Sequence, residues 1–350
     1  MDRIKKSIID IGLRCAKFRL TGGPQGGTFF ITRKCNMNCS YCAVQKYRTE
    51  DINTETWFKI IDRVKDIGIM VVNIVGGEPL LREDIFEIID YLNYKKICVI
   101  LHSNFIKIDR TVIDKLAKLR LFALTASLDS FNGFEKSNIS VYELLEHAKA
   151  NGIIPIVSSV VTSKNIDELP EIARYTISKG IFYNLSFYQN IGGAFSNNDS
   201  ELIPPKNKLM EIMDEIRRIK DGTGGIRSTY NFLKPHNLEY YYDKWKCDPL
   251  KDHWLIINND GKLMRCEEYP STIDILSLDS LKDEEWIGHK KGIVENCRGC
   301  YHHCYFDSEK LTGVNILKEI KGILYNVKFI GEKGGRKGVS GILCKPLFCI

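Results

Sequence analysis

Eight of the twelve cysteines in this chain fall into two groups whose spacing suits metal ligation. The first is Cys35-Asn-Met-Asn-Cys39-Ser-Tyr41-Cys42. Three thiolates separated by three and two residues converge readily on one face of a compact loop. A cuboidal iron–sulfur cluster has four irons, so three cysteines leave one iron without a protein ligand. An open position of that kind admits an outside molecule, as it does at a catalytic zinc held by three side chains. A zinc ion completed by a distant fourth ligand is the competing use of the same residues. The second group comprises Cys247, Cys266, Cys297, Cys300 and Cys304. Between its first two members, the run from Trp254 to Arg265 reads as a β-hairpin turning at Asp260-Gly261, which brings Cys247 and Cys266 together. The remainder is Cys297-Arg-Gly-Cys300-Tyr-His302-His303-Cys304, whose histidines are read as solvent-facing. Two close cysteine pairs would also suit zinc. Cys98 and Cys15 lie on apolar patterns and read as packing, and Cys344 and Cys349 as free thiols or substitute ligands.

These residues need elements to hold them. From Thr28 to about Asn190, β-rich runs alternate with helical spacing. The expected strands are Thr28–Ile31, Ile69–Val75, Ile97–Leu101, Leu121–Ser127, Ile153–Val161 and Tyr183–Tyr188, starting 41, 28, 24, 32 and 30 residues apart. The first helix is capped at Asn53 or Thr54, aligns Trp57, Ile60, Ile61, Val64 and Ile67, and stops at Gly68. A later one is expected from near Asn165 to Gly180. Repeated βα units build a parallel sheet with helices outside. The fold class is therefore α/β, a partial (β/α)6 barrel of the TIM type, with a Rossmann sheet as the alternative on pattern alone. The cysteine loop follows the first strand and Gly76-Gly77-Glu78-Pro79 the second, at the strand ends where such folds place chemistry. The expected organisation is a basic amphipathic helix over 1–27, the barrel over 28–235, a small cysteine-rich α+β domain over 240–310 and a basic amphipathic tail over 311–350.

Composition narrows the class. Twelve cysteines in 350 residues fall far short of a secreted disulfide scaffold, and no apolar run or leader core marks a span or an export signal. A cytoplasmic, reducing compartment is expected. The net charge of +6 is modest and gives no ground for specific nucleic-acid binding. Its basic residues gather at the ends, six in 1–22 and seven in 311–350, beside the stripes Ile4, Ile8, Ile11, Cys15, Phe18 and Ile316, Ile320, Ile323, Leu324, Val327. Such stripes pack on a barrel or lie peripherally on the inner face of an anionic membrane.

The motif CxxxCxΦC with Tyr41 as Φ, followed by Gly76-Gly77-Glu78-Pro79, resembles the radical S-adenosylmethionine (SAM) enzymes over roughly residues 28–190. The resemblance implies a [4Fe–4S] cluster on Cys35, Cys39 and Cys42, with SAM chelated to the open iron. It implies SAM contacts from Gly76, Gly77, Glu78 and Pro79, a place for Tyr41 beside the adenine, and roles for Asn104 and Ser127 at the ribose or carboxylate. Cys247 to Cys304 look like the SPASM or twitch extension, which holds auxiliary [4Fe–4S] clusters. The usual pattern has one more cysteine step than this chain offers, so one cluster on Cys247, Cys266, Cys297 and Cys300 is expected, with Cys304 a spare or substitute ligand. The implied activity is reductive SAM cleavage and hydrogen abstraction, in peptide or protein maturation. Modification of a lipid or small molecule is the alternative, because the N-terminal stripe and the Cys297–Cys304 spacing faintly resemble a hopanoid-adenosylating branch. An electron donor such as flavodoxin or ferredoxin is implied as partner. No residue identifies the substrate's acid or base. A non-catalytic zinc or cluster module binding nucleic acid or membrane is the reading of another class.

Overall fold

A computed structural model describes residues 26–310, apart from 48, 134, 137 and 253, together with 24 and 329. The N-terminal stripe, the tail stripe, Cys15, Cys344 and Cys349 lie outside the described residues. Each expected strand is found, shifted by at most two residues at either end: β1 (Gly26–Phe30), β2 (Val71–Val75), β3 (Cys98–Ser103), β4 (Ala123–Ser127), β5 (Ile154–Val161) and β6 (Phe182–Phe187). Helices α1 (Thr54–Ile67), α2 (Ile85–Tyr94), α3 (Arg110–Lys118), α4 (Val141–Ala150) and α5 (Leu169–Ser178) alternate with them. Asn53 caps α1 by accepting the Thr56 N–H, and Gly68 ends it in the left-handed region at φ 103°. The apolar stripe does what its spacing requires, burying Trp57, Ile60, Ile61 and Val64. Helix α5 starts at Leu169 rather than near Asn165 because the Asn165 side chain is engaged elsewhere. It accepts from the Thr162 N–H and donates to the carbonyls of Asp129 and Val160.

The sheet order is β6-β5-β4-β3-β2-β1-β7-β8, with β7 (Trp254–Ile257) and β8 (Leu263–Met264) forming the expected hairpin. A doubly wound sheet reverses direction beside its first strand. Here β4 adjoins β3, β5 adjoins β4 and β6 adjoins β5, all parallel, which is the winding of a barrel. The barrel stays open, and β7 lies parallel along the outer edge of β1. Cys98 is buried in β3. Helices cover the outside of the sheet, and inward residues such as Ser127, Ser158 and Asn184 form a polar row across β4, β5 and β6.

Later elements are α6 (Lys206–Thr223), α7 (Pro235–Asp243), α8 (Glu284–Asn296) and α9 (His303–Lys310). Among the described residues, no helix is long and apolar enough to cross a membrane. Helix α8 is anchored by a buried pair: Lys290 Nζ lies 2.5 Å from Asp252, which also accepts from the Trp286 indole. Removing one member of such a pair strands the other charge. Lys290→Met is expected to lower stability by about 3 kcal/mol, and Lys290→Met with Asp252→Leu to restore most of it, measured by urea unfolding.

Candidate active site

The loop after β1 is docked by its own backbone. Gly77 N–H donates to Thr32 O at 2.8 Å and Glu78 N–H to Lys34 O at 2.8 Å, continuing the pairing of β1 with β2 beyond the strands. A Cβ on Gly77 would stand 2.0 Å from the Lys34 carbonyl oxygen, and one on Gly76 2.3 Å from that of Thr32. Glycine is thus required here by the approach of the cysteine loop itself. Glu78 is buried and accepts from Ser103 Oγ, Asn104 N and Leu80 N, tying the exit of β2 to that of β3. Burial holds its carboxyl above the usual range, against these donors.

The far side of the loop is held by residues 194–197. Ala43 N–H donates to Phe195 O, and Asn197 Nδ2 donates to Cys42 O at 3.0 Å. Arg33, buried, forks onto Asn258 Oδ1 of the hairpin turn and onto Ala194 O. Its positive charge sits where hairpin, loop and barrel meet, at the cost of desolvation that lowers its pKa.

Between these supports lies a cavity of about 290 Å3. Cys35, Cys39, Cys42, Tyr41, Gly76, Gly77, Asn104 and Ser127 all line it; Glu78 and Pro79 stand behind it. Asn104 donates to Asn36 Oδ1 at 2.7 Å and lies 4.0 Å from the Cys35 sulfur. Tyr41 donates to Asp129 Oδ2 at 2.6 Å. Lys136 and His102 also line the cavity, and neither they nor Asp129 were singled out by the sequence. The one available signal was an acid, Asp129, two residues after the end of an apolar strand. Lys136 stands over the Tyr41 ring at 5.4 Å, and its ammonium is favoured by Asp129 and the three nearby thiols despite its burial.

The thiols lie in an environment that disfavours charge. Burial pushes Cys39 up to about 12, although Lys136 opposes it, and raises Cys42 as well. Deprotonating them calls for a cationic centre. The Cys35 sulfur accepts from Met37 N–H at 3.5 Å, a contact that suits a ligating thiolate.

The second group also assembles. Burial raises Cys247, Cys266 and Cys300. The next influence raising Cys266 is the Cys300 thiol, and that raising Cys300 is the Cys247 thiol. Glu309 and then Cys297 add to Cys247 against Arg265, so these thiols lie within electrostatic reach of one another. Backbone N–H groups of Glu268 and Gly299 point at the sulfurs of Cys266 and Cys297. Gly299, at φ 84°, would put a Cβ 2.3 Å from Lys244 O, so a glycine lets this turn lie against the segment that leads to Cys247. Cys304 belongs to α9, and its side chain is outside the described residues. His302 and His303 are half-buried rather than fully solvent-facing. They line the cavity, paired with Glu267 at 3.4 Å and Asp307 at 3.1 Å, because Tyr301 is bonded to Gln189 and pins this segment to the end of β6. Among the described residues, no three His, Cys, Asp or Glu side chains gather tightly enough for a single metal ion. A cuboidal cluster asks instead for thiolates spread around its corners.

Residues 29–176 match the profile of the Radical SAM superfamily. The chain carries a radical SAM domain. The mycofactocin maturase MftC of Mycolicibacterium smegmatis is 30% identical over 156 residues, 42% of this chain and 40% of that protein. The Fe-coproporphyrin III synthase of Methanosarcina barkeri is 25% identical over 205 residues, 55% of this chain and 51% of that one. The chain thus spans about half the length of these relatives, or less. Its fold is similar to Streptococcus suis SuiB in complex with the precursor peptide SuiA, with a TM-score of 0.62 at 16% identity over 78% of this chain and 68% of that one.

Two outcomes follow from the geometry of this candidate site. Gly77→Ala is expected to cost about 1–3 kcal/mol and to reduce the iron retained after anaerobic reconstitution. Gly222→Ala, where a Cβ meets nothing within 4 Å, should change neither. Burial, with the charges of Arg227 and Lys136, pulls the His102 imidazole down to about 3. An unfolded histidine protonates near pH 6.5, so this group contributes a loss of stability as pH falls from about 6.5 towards 3. His102→Gln should weaken the pH dependence of the thermal midpoint between pH 7.5 and 4.5.

Proposed function

We propose that this chain is a radical SAM enzyme, with its catalytic cluster on Cys35, Cys39 and Cys42 and one auxiliary cluster on Cys247, Cys266, Cys297 and Cys300. The observation that carries the reading is the single cavity in which the three loop cysteines meet Gly76, Gly77, Tyr41, Asn104 and Ser127. When bound, the cluster and SAM supply one-electron cleavage of SAM to methionine and a 5′-deoxyadenosyl radical that takes hydrogen from a substrate. A small protein such as a flavodoxin or ferredoxin delivers the electron.

The chain's own residues bind and orient. Gly76 and Gly77 line the cavity without side chains and leave room for the methionine end of SAM. Glu78 and Pro79 support that turn from behind, and Glu78 fixes Asn104 through its backbone N–H. Tyr41, held by Asp129, supplies an aromatic wall for the adenine. The barrel of 28–235 provides this site, and 240–310 provides the second cysteine group, joined through β7.

Peptide or protein maturation is the favoured activity. Polar side chains (Thr28, Asn73, Ser158, Asn184 and Ser186) line the barrel side of the cavity, which suits a peptide better than a lipid chain. The peptide held by SuiB, a fold relative, supports the same reading. Anaerobically reconstituted, dithionite-reduced protein should contain iron and sulfide and release 5′-deoxyadenosine from SAM. Cys39→Ala should abolish that release, and Cys266→Ala should spare part of it in the absence of substrate. Bound zinc and no 5′-deoxyadenosine would instead point to a non-catalytic module.

A further inference from the structure

A buried arginine stands beside the second cysteine group without a full set of partners. Arg265 precedes Cys266 directly and is 4% exposed. Its Nη2 donates to the carbonyl of Asp248, the residue after Cys247, at 3.0 Å, and reaches Glu309 Oε1 at 3.3 Å. The Tyr305 ring lies 5.0 Å from the guanidinium, and the Tyr305 hydroxyl donates to the Arg265 carbonyl. The Nε–H has no acceptor among the described residues and is shut off from water. Glu309 already accepts from Asp248 N–H, so the ion pair accounts for one edge of the fork and leaves the Nε–H unexplained. A buried donor without an acceptor is costly and calls for a missing ligand. The sulfur-rich site is the adjacent source of acceptors: Cys266 follows Arg265 in the chain, and the Asp248 carbonyl that Nη2 reaches follows Cys247.

We propose that Arg265 sets the reduction potential of the auxiliary cluster, donating its Nε–H to cluster or cysteine sulfur and placing a positive charge beside it. When a one-electron reductant adds an electron to the cluster, its negative charge grows by one. A buried cation and a hydrogen bond to sulfur stabilise that reduced form and raise the potential. Arg265 is therefore a positioning and tuning residue that favours electron acceptance at the second cluster. The inference rests on the reading that Cys247, Cys266, Cys297 and Cys300 hold a cluster.

The test uses the full chain with Cys35, Cys39 and Cys42 replaced by alanine, so that only the second cluster gives a signal. Iron and sulfide are counted, and the cluster is titrated with dithionite while its electron paramagnetic resonance is followed. Arg265→Lys keeps the charge and removes the planar Nε–H. Arg265→Met with Glu309→Gln removes the pair without stranding a carboxylate. The expected result is unchanged iron and sulfide with a lower midpoint in Arg265→Lys, and a lower one still in the double variant if that variant folds. Equal midpoints in parent and Arg265→Lys would overturn the proposal, and so would loss of the cluster from Arg265→Lys, which would make the arginine a structural residue. Absence of any second cluster from the parent would refute the underlying ligand assignment, and the tuning role with it.

Discussion

Two backbone hydrogen bonds, from Gly77 to Thr32 and from Glu78 to Lys34, set the position of the loop that carries Cys35, and the rest of the site is arranged around them. They form only where two chain segments touch with no side chain between them, and a Cβ on either glycine would collide with a carbonyl oxygen. The carboxyl of Glu78 extends the constraint to β3 by binding Ser103 and Asn104. Three consecutive strand exits are thereby locked into one rigid rim. A rigid rim matters because a ligand held by an open metal position must meet its other contacts at fixed distances.

The same rim continues into the second cysteine group. Glu268, two residues after Cys266, accepts from the N–H groups of Phe195 and Ser196, and that loop pairs with Cys42. Burial raises the Glu268 carboxyl, opposed by these donors. The two groups of thiols are thus joined by a short path of backbone contacts, while β7 links them again through β1. Within 240–310, the β7–β8 hairpin shares the barrel's sheet.

Much of this was legible in the residues. The βα period gave the strands, and the cysteine spacings marked both groups. The resemblance implies SAM contacts at Gly76 and Gly77, and the structure adds a reason that sequence alone does not carry, the close passage of the neighbouring loop. The start of α5 was missed because Asn165 spends its side chain on a turn and on Asp129, a tertiary use of a good capping residue. Lys136 and His102 were missed since a lone cation in a loop and a lone histidine in a strand have no period to reveal them. The histidines after Cys300 were misjudged for a similar reason: their partial burial follows from the pairing of Tyr301 with Gln189, 112 residues away.

The position of β7 on the flank of β1 also bears on how the chain may be divided. Cutting after α6 would remove the outer partner of β1 and the Asn258 acceptor of Arg33 together. The first strand would then present a bare row of amides and carbonyls, the kind of edge that invites strand exchange between molecules. A minimal catalytic fragment therefore has to keep the hairpin, and any ancestor that lacked it must have protected that margin in another way.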